Sequence, residues 1–320
     1  MLLPSILFFV GLIVLYFGAE GLVQGASSVA LQYGIKPVVV GLTVVALGTS
    51  MPEFLVNLFA VVAGESPLAL GNIIGSNISN IALILGCSAL LLPLTVTPEI
   101  LRREYPIMLG VMVLFYLTAL DGQIGTYDGL GMVTLLLGLG GFLFYETHQT
   151  STAEIMDQIE GDLEGADPNM SGLKKTVYLL GGMAGLALGA HLMVDSAVQI
   201  ASYLGIATGI IGLTAVALGT SLPELAASMV SAAKSESDMS VGNVMGSNML
   251  NVLFVVGTIS IFKPLEVEER SLFIDFPVML GFCVLLLPIV WSEYRITRIG
   301  GTVLLVSFFG YMTYLMLPYL

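Results

Sequence analysis

The chain has 320 residues, 56% of them apolar and only 10% charged, with a mean hydropathy of +0.96 and a formal net charge of −13. That balance excludes an ordinary soluble globular domain, and the lack of a basic patch argues against nucleic-acid binding. What remains is an all-α polytopic membrane protein with the lipid bilayer as its solvent.

Apolar stretches fall at 2–23, 37–63, 68–92, 105–120, 126–145, 176–199, 206–233, 239–262, 272–291 and 299–318. Each is near the roughly 20 residues that a helix needs to cross a bilayer, which predicts ten transmembrane helices. The first has no positive n-region and is long enough to remain as a span, so it does not read as a cleavable signal peptide. Between the fifth and sixth stretches, seven acids and no lysine or arginine lie from Glu146 to Asp167. Residues 146–172 therefore read as a solvated acidic linker between a first five-helix repeat, 1–145, and a second, 173–320. No Asp-x-Asp-x-Asp-Gly loop in the linker supports a calcium-sensing role. Cys87 and Cys283 both fall within apolar stretches and read as packing residues.

Ten spans place Lys36, Arg102, Arg103, Lys174, Lys175, Lys234, Arg295 and Arg298 on one side, and Lys263 and Arg270 on the other. The richer side is expected in the cytoplasm of a cell-membrane protein, with the linker inside and both termini outside.

The chain repeats itself. Ala46-Leu47-Gly48-Thr49-Ser50-Met51-Pro52-Glu53 recurs as Ala217-Leu218-Gly219-Thr220-Ser221-Leu222-Pro223-Glu224 at an offset of 171, and 11 of 14 positions across 40–53 are identical. The same offset aligns Gly71-Asn72-Ile73-Ile74-Gly75-Ser76-Asn77 with Gly242-Asn243-Val244-Met245-Gly246-Ser247-Asn248, and Asn80 with Asn251. Five spans per unit is an odd number, so the second unit would enter the membrane from the opposite face as an inverted repeat.

Each copy carries a carboxylate inside an apolar run, where an ionisable group costs several kcal/mol unless it faces a hydrated or ion-occupied cavity. Pro52 has no N–H and crowds the carbonyl four residues back, so the helix should break there. The break frees carbonyls near Ala46 to Thr49, with Thr49 and Ser50 in a capping arrangement before Glu53. The second copy offers Gly219, Thr220, Ser221 and Glu224 in the same way. Ser76 with Asn80, and Ser247 with Asn251, lie four apart on a helix face and add side-chain oxygens. The glycines beside them read as close-packing positions. Every candidate ligand is an oxygen, which fits a hard cation such as calcium or sodium and disfavours zinc, copper or iron.

The two paired motifs resemble the alpha-repeats of the calcium/cation antiporter superfamily, specifically its prokaryotic sodium/calcium exchangers. The resemblance spans essentially the whole chain. It implies a secondary active antiporter that exchanges Na⁺ for Ca²⁺ by alternating access and needs no cofactor, both ions being substrates. It implies a calcium site bounded by Glu53 and Glu224 with the carbonyls of Thr49 and Thr220. It also implies sodium sites using Ala46, Ser50, Ser76, Ala217, Ser221 and Ser247, with Asn80 and Asn251 in the same ring. Asn251 stands where potassium-dependent relatives carry an acid, which implies potassium independence. Gly75 and Gly246 stand where the calcium/proton branch carries glutamate, which implies sodium coupling, with Ca²⁺/H⁺ exchange as the alternative. Two carboxylates give the site −2, so three sodium ions against one calcium would make exchange electrogenic. A serine hydrolase built on Ser50 lacks a duplicated base, which argues against an enzyme.

Overall fold

In a computed structural model of the chain, residues 2–149, 167, 170–204, 219–291 and 293–317 are described. Most of the expected linker, Ala217 and the repeat segment Gly212-Leu213-Thr214 fall outside them.

The architecture is helical. α1 (Leu2–Tyr33) leads to α2 (Pro37–Thr49), α3 (Met51–Ala63) and α4 (Ser66–Leu91), then to α5 (Tyr105–Thr118) and α6 (Thr126–Gln149). The second half runs through α7 (Gly172–Tyr203), α8 (Leu222–Ala233), α9 (Ser237–Phe262), α10 (Phe276–Trp291) and α11 (Arg298–Met316). The sequence offset reappears in the element boundaries, since α4 shifted by 171 is α9 to the residue. Wide π-type turns recur too: Asn80–Ile84 matches the start of Asn251–Val256, and Ile100–Glu104 matches Ser271–Asp275.

Among the described residues, seven helices are long and apolar enough to cross a membrane, or eight if the bent pair Pro37–Thr49 and Met51–Ala63 counts as one span. Two expected spans account for the distance from ten. The stretch at 105–120 forms a helix of only 14 residues behind the wide turn Ile100–Glu104, and 206–233 lies partly outside the described residues.

Four two-residue strands tie the halves together. β1 (Leu94–Thr95) pairs antiparallel with β4 (Arg295–Ile296), setting Leu94 against Ile296. β2 (Gln123–Ile124) pairs with β3 (Leu265–Glu266), setting Ile124 against Leu265. In each case a link after a helix of one half meets a link of the other.

Two apolar cores form. The larger surrounds the mostly buried α4 and α9 and takes in α5 and α10, with Phe115, Phe276 and Phe308 among its fully buried side chains. The smaller joins α1 and α7 to parts of α2 and α8 through Leu22, Val45, Leu186 and Ala227. Glycines let α1 and α7 touch backbone to backbone: a Cβ at Gly18 would lie 2.6 Å from Leu186 N, and one at Gly189 2.5 Å from Leu15 N. Gly246 seats α9 on α2 in the same way, since its Cβ would lie 2.5 Å from Leu42 O. Close packing is thus the role of these glycines.

Candidate functional site

The expected break at the first motif is present: Ser50, with φ −84° and ψ 0°, interrupts the helical path just before Pro52 in the first turn of α3. Ser221 has the same backbone, φ −86° and ψ 1°, just before Pro223 in the first turn of α8. Pro52 sits there because an N-terminal turn does not need its missing N–H. The axis bends by 44° between α2 and α3.

One local expectation is corrected. Ser50 does not cap α3: its hydroxyl instead reaches across to Glu224 Oε1, donating at 3.2 Å. The Ala46 carbonyl is not freed either, because the Ser50 N–H still donates to it at 2.9 Å. The break begins one residue too late to release Ala46.

Glu53 and Glu224 are 2% and 1% exposed, and their carboxyl groups face each other across the two halves. Facing carboxylates repel in a low-dielectric interior, and a cation between them relieves that repulsion. Thr49, Ser50, Ser76, Asn80, Thr220, Ser221, Ser247 and Asn251 are also buried. Ser221 Oγ lies 3.4 Å from Ser76 Oγ, and Thr220 Oγ1 3.5 Å from Ser76 Oγ, so the first half's Gly-Ser-Asn segment meets the second half's break. Ala217 lies outside the described residues.

The orphaned atoms sharpen the picture. Among the described residues, ten buried side-chain N or O atoms have no hydrogen-bond partner, and five of them belong to the repeated motifs: Glu53 Oε2, Glu224 Oε2, Asn80 Oδ1, Asn251 Oδ1 and Ser247 Oγ. A buried acceptor left unpaired costs roughly 1–3 kcal/mol, so these oxygens are the ones in the motifs to which a bound cation would supply the partner they lack. No group of three or more His, Cys, Asp or Glu forms among the described residues, so the donor set is two carboxylates with neutral oxygens, suited to a hard cation.

The sequence did not assign a second tier of amides. Thr49 donates to Asn243 Oδ1 at 3.3 Å, and Asn243 Nδ2 donates to Ser228 Oγ at 2.9 Å and to Glu224 O at 3.4 Å. Thr220 donates to Asn72 Oδ1 at 3.3 Å, Asn72 Nδ2 to Asn57 Oδ1 at 3.1 Å, and Asn57 Nδ2 to Glu53 O at 2.7 Å. Each relay begins on the break of one half and ends on the glutamate-bearing helix of the other. Asn72 and Asn243 were visible as members of the repeat. Asn57 and Ser228 differ between copies and left no such signal.

Glu20 and Gln24 lie elsewhere, in a groove of about 610 Å³ between α1 and α7 with Phe17 and Tyr178. Their repeat counterparts, His191 and Asp195, are exposed and pair at 3.3 Å.

Comparison with known proteins places the chain in a family. The family described as sodium/calcium exchanger protein matches residues 3–145 and 174–317, nearly all of both halves. The chain belongs to the sodium/calcium exchanger family. Within it, the chain is 37% identical to CaxA of Alkalimonas amylolytica, a candidate antiporter by name, over 97% of this chain and 98% of that protein. It is 31% identical to the sodium/calcium exchanger MaX1 of Methanosarcina acetivorans, over 95% and 96% of the two chains. The solved structure of the sodium-calcium exchanger NCX_Mj, soaked with 2.5 mM Na⁺ and 0.1 mM Ca²⁺, superposes with a TM-score of 0.82 at 30% identity over 98% of each chain. The family is one of multi-pass membrane antiporters, not enzymes, and the prokaryotic exchanger resemblance drawn from the motifs holds.

Proposed function

We propose that the chain exchanges Na⁺ for Ca²⁺ by alternating access, electrogenically and without potassium. One observation carries the reading: the unpartnered oxygens of Glu53, Glu224, Asn80, Asn251 and Ser247 are contributed by both copies of one buried motif. Ca²⁺ suits two carboxylates with neutral oxygens. Sodium matches that charge only as several ions sharing the same oxygens, so the two loads exclude each other. The names of MaX1 and NCX_Mj agree with the pair of ions.

The inverted ten-span arrangement is part of the proposal, and the strand pairs support it. In that arrangement an even number of crossings separates β1 from β4 and β2 from β3, so each pair meets on one side of the membrane. The family match falling once on each half agrees with two units. The orientation, with the linker in the cytoplasm and both termini outside a cell membrane, rests on the lysine and arginine bias. A cysteine placed at Gly161 should then be shielded from an impermeant thiol reagent in whole cells, and one at Glu268 labelled, after Cys87 and Cys283 are replaced.

The deciding experiment is ⁴⁵Ca uptake into sodium-loaded proteoliposomes. Uptake that follows the outward sodium gradient, responds to membrane potential and ignores potassium supports the proposal. Uptake driven fully by a proton gradient in sodium-free medium selects Ca²⁺/H⁺ exchange instead.

A further inference from the structure

Asn77 and Asn248 belong to the repeated motif, yet neither is among the proposed ligands. Both are fully buried where α4 and α9 cross. Asn248 Oδ1 accepts from Asn80 Nδ2 at 2.9 Å, and Asn77 Oδ1 accepts from Asn251 Nδ2 at 3.1 Å. These two bonds use the amino groups of Asn80 and Asn251, which is why their Oδ1 atoms are the ends left unpaired.

The outer amides are held in turn by sulfur. Asn77 Nδ2 lies 3.7 Å from Met112 Sδ and 3.8 Å from Met279 Sδ, while Asn248 Nδ2 lies 3.8 Å from Met108 Sδ. All three methionines are fully buried. A thioether can accept a hydrogen bond and has no proton to give, so the amide end that faces it is the NH₂. Each sulfur therefore fixes the direction of one outer amide, which fixes the direction of the inner one. The two chains are unequal. Met108 and Met279 are repeat counterparts, but the counterpart of Met112 is Cys283, so Asn248 has one sulfur where Asn77 has two.

We propose that Met108, Met112 and Met279 are positioning residues, which through Asn248 and Asn77 keep the carbonyl oxygens of Asn80 and Asn251 turned toward the transported cation. The inference rests on the cation-exchange reading above. Leucine in place of the sulfur keeps the volume and removes the acceptor. The outer amide then gains by turning its NH₂ inward, the inner asparagine turns with it, and an N–H dipole faces the cation where an oxygen had been.

The test is the ion dependence of ⁴⁵Ca uptake by purified variants in sodium-loaded proteoliposomes. Met108→Leu should raise the half-saturating Ca²⁺ and Na⁺ concentrations at least about fivefold, while maximal rate and folded yield stay within about twofold of wild type. Met279→Leu alone should shift them less, because Met112 still accepts, and the Met112→Leu/Met279→Leu pair should match Met108→Leu. Unchanged half-saturation in folded Met108→Leu, or a loss confined to maximal rate, overturns the proposal. Should Met108→Leu fail to fold, the double variant at Met112 and Met279 decides by the same criteria. Wild type that takes up no calcium against sodium refutes the exchange reading itself. Wild type that exchanges normally beside leucine variants of unaltered affinity refutes only the methionine role.

Discussion

The turns after α3 and α8 are repeat counterparts with opposite packing. Glu236, in the turn before α9, is 3% exposed and sits on Ser27 of α1 at 2.8 Å, whereas Glu65, its counterpart before α4, is exposed. The helices that could cover them differ likewise. The C-terminal part of α1 is buried through Leu22, Val23, Ala26 and Ala30, while Asp195, Gln199 and Tyr203 of α7 are exposed. A duplicated sequence has thus been folded into two unequal ends around the proposed site. That inequality suits the alternating access proposed above, in which a pathway open at one end and shut at the other must break the symmetry of the repeat. On that proposal α1 and α7, packed through their own small core, are the elements whose shift would exchange the two ends.

The site lies where the two halves are most alike, and there the largest effect is expected. Glu53→Gln and Glu224→Gln each remove half of the formal charge facing the cation, so each should lower ⁴⁵Ca exchange at least about a hundredfold with the protein still folded. The comparison breaks if one of the two variants transports normally. The site would then belong to a single half, and the unequal turns would say nothing about access.

The next effect concerns the α1–α7 contact. A methyl at Gly18 meets Leu186 N at 2.6 Å, whereas one at Gly21 finds Tyr178 O at 3.5 Å, an ordinary contact. Gly18→Ala should force the two helices apart, destabilise the fold by about 1–3 kcal/mol and slow exchange about tenfold, and Gly21→Ala should do neither. Melting temperature and initial uptake rates check both. Equal tolerance would mean that the α1–α7 pair is not tightly engaged.

How much of this was legible before folding depends on which contacts are local. Glu53 and Glu224 stood out because a charge in an apolar run is costly, and Pro52 and Pro223 announced the breaks because a missing N–H acts on its own helix. The hydroxyl of Ser50 was misread as a cap: its partner, Glu224, is 174 residues away, and a local rule offered a nearer one. Asn72, Asn243, Asn77 and Asn248 were visible as repeated residues, but what they hold lies in the other half. Asn57 and Ser228 were hidden because the repeat is imperfect at that position. The different fates of Glu65 and Glu236 could not be read from a repeat at all, since the same residue type occupies both places.

The relays to the glutamate helices give an intermediate effect. Asn72→Ala cuts the path from Thr220 through Asn57 to the Glu53 carbonyl, and Asn243→Ala cuts the shorter one from Thr49 to Ser228 and the Glu224 carbonyl. Neither residue carries charge, and each lost buried bond is worth about 1–2 kcal/mol, so the half-saturating calcium concentration should rise about fivefold to thirtyfold. Asn57→Ser, which makes the first relay resemble the second, should cost less than Asn72→Ala. A shift confined to maximal rate, with affinity untouched, would show that the relays steady the helices without setting the ligands.

The smallest effect tests the buried turn directly. Burial pushes the Glu236 carboxyl up to about 7, opposed by the Ser27 hydrogen bond and the nearby charge of Lys234. The geometry points the same way: Ser27 Oγ lies 2.9 Å from Val23 O and 2.8 Å from Glu236 Oε2, and one hydroxyl proton fully serves only one of them, so a proton on Glu236 completes the second bond. Once the chain unfolds, the carboxyl returns to its ordinary value near 4.5. Between about 4.5 and 7 the native protein therefore holds a proton that the unfolded chain has lost, and stability falls as pH rises through that window. The contact is at full strength below the lower value and carries a penalty of up to about 3 kcal/mol above the upper one. Melting temperatures of the purified protein should accordingly decline from pH 5.5 to pH 8, and Glu236→Gln, neutral throughout, should flatten that decline and stabilise the protein most at pH 8. Glu65→Gln, at the exposed counterpart position, is the control, and its melting profile should overlay wild type. Matching profiles for the two variants would mean that the turns are equivalent in solution and that the burial of Glu236 does not distinguish one end of the pathway from the other.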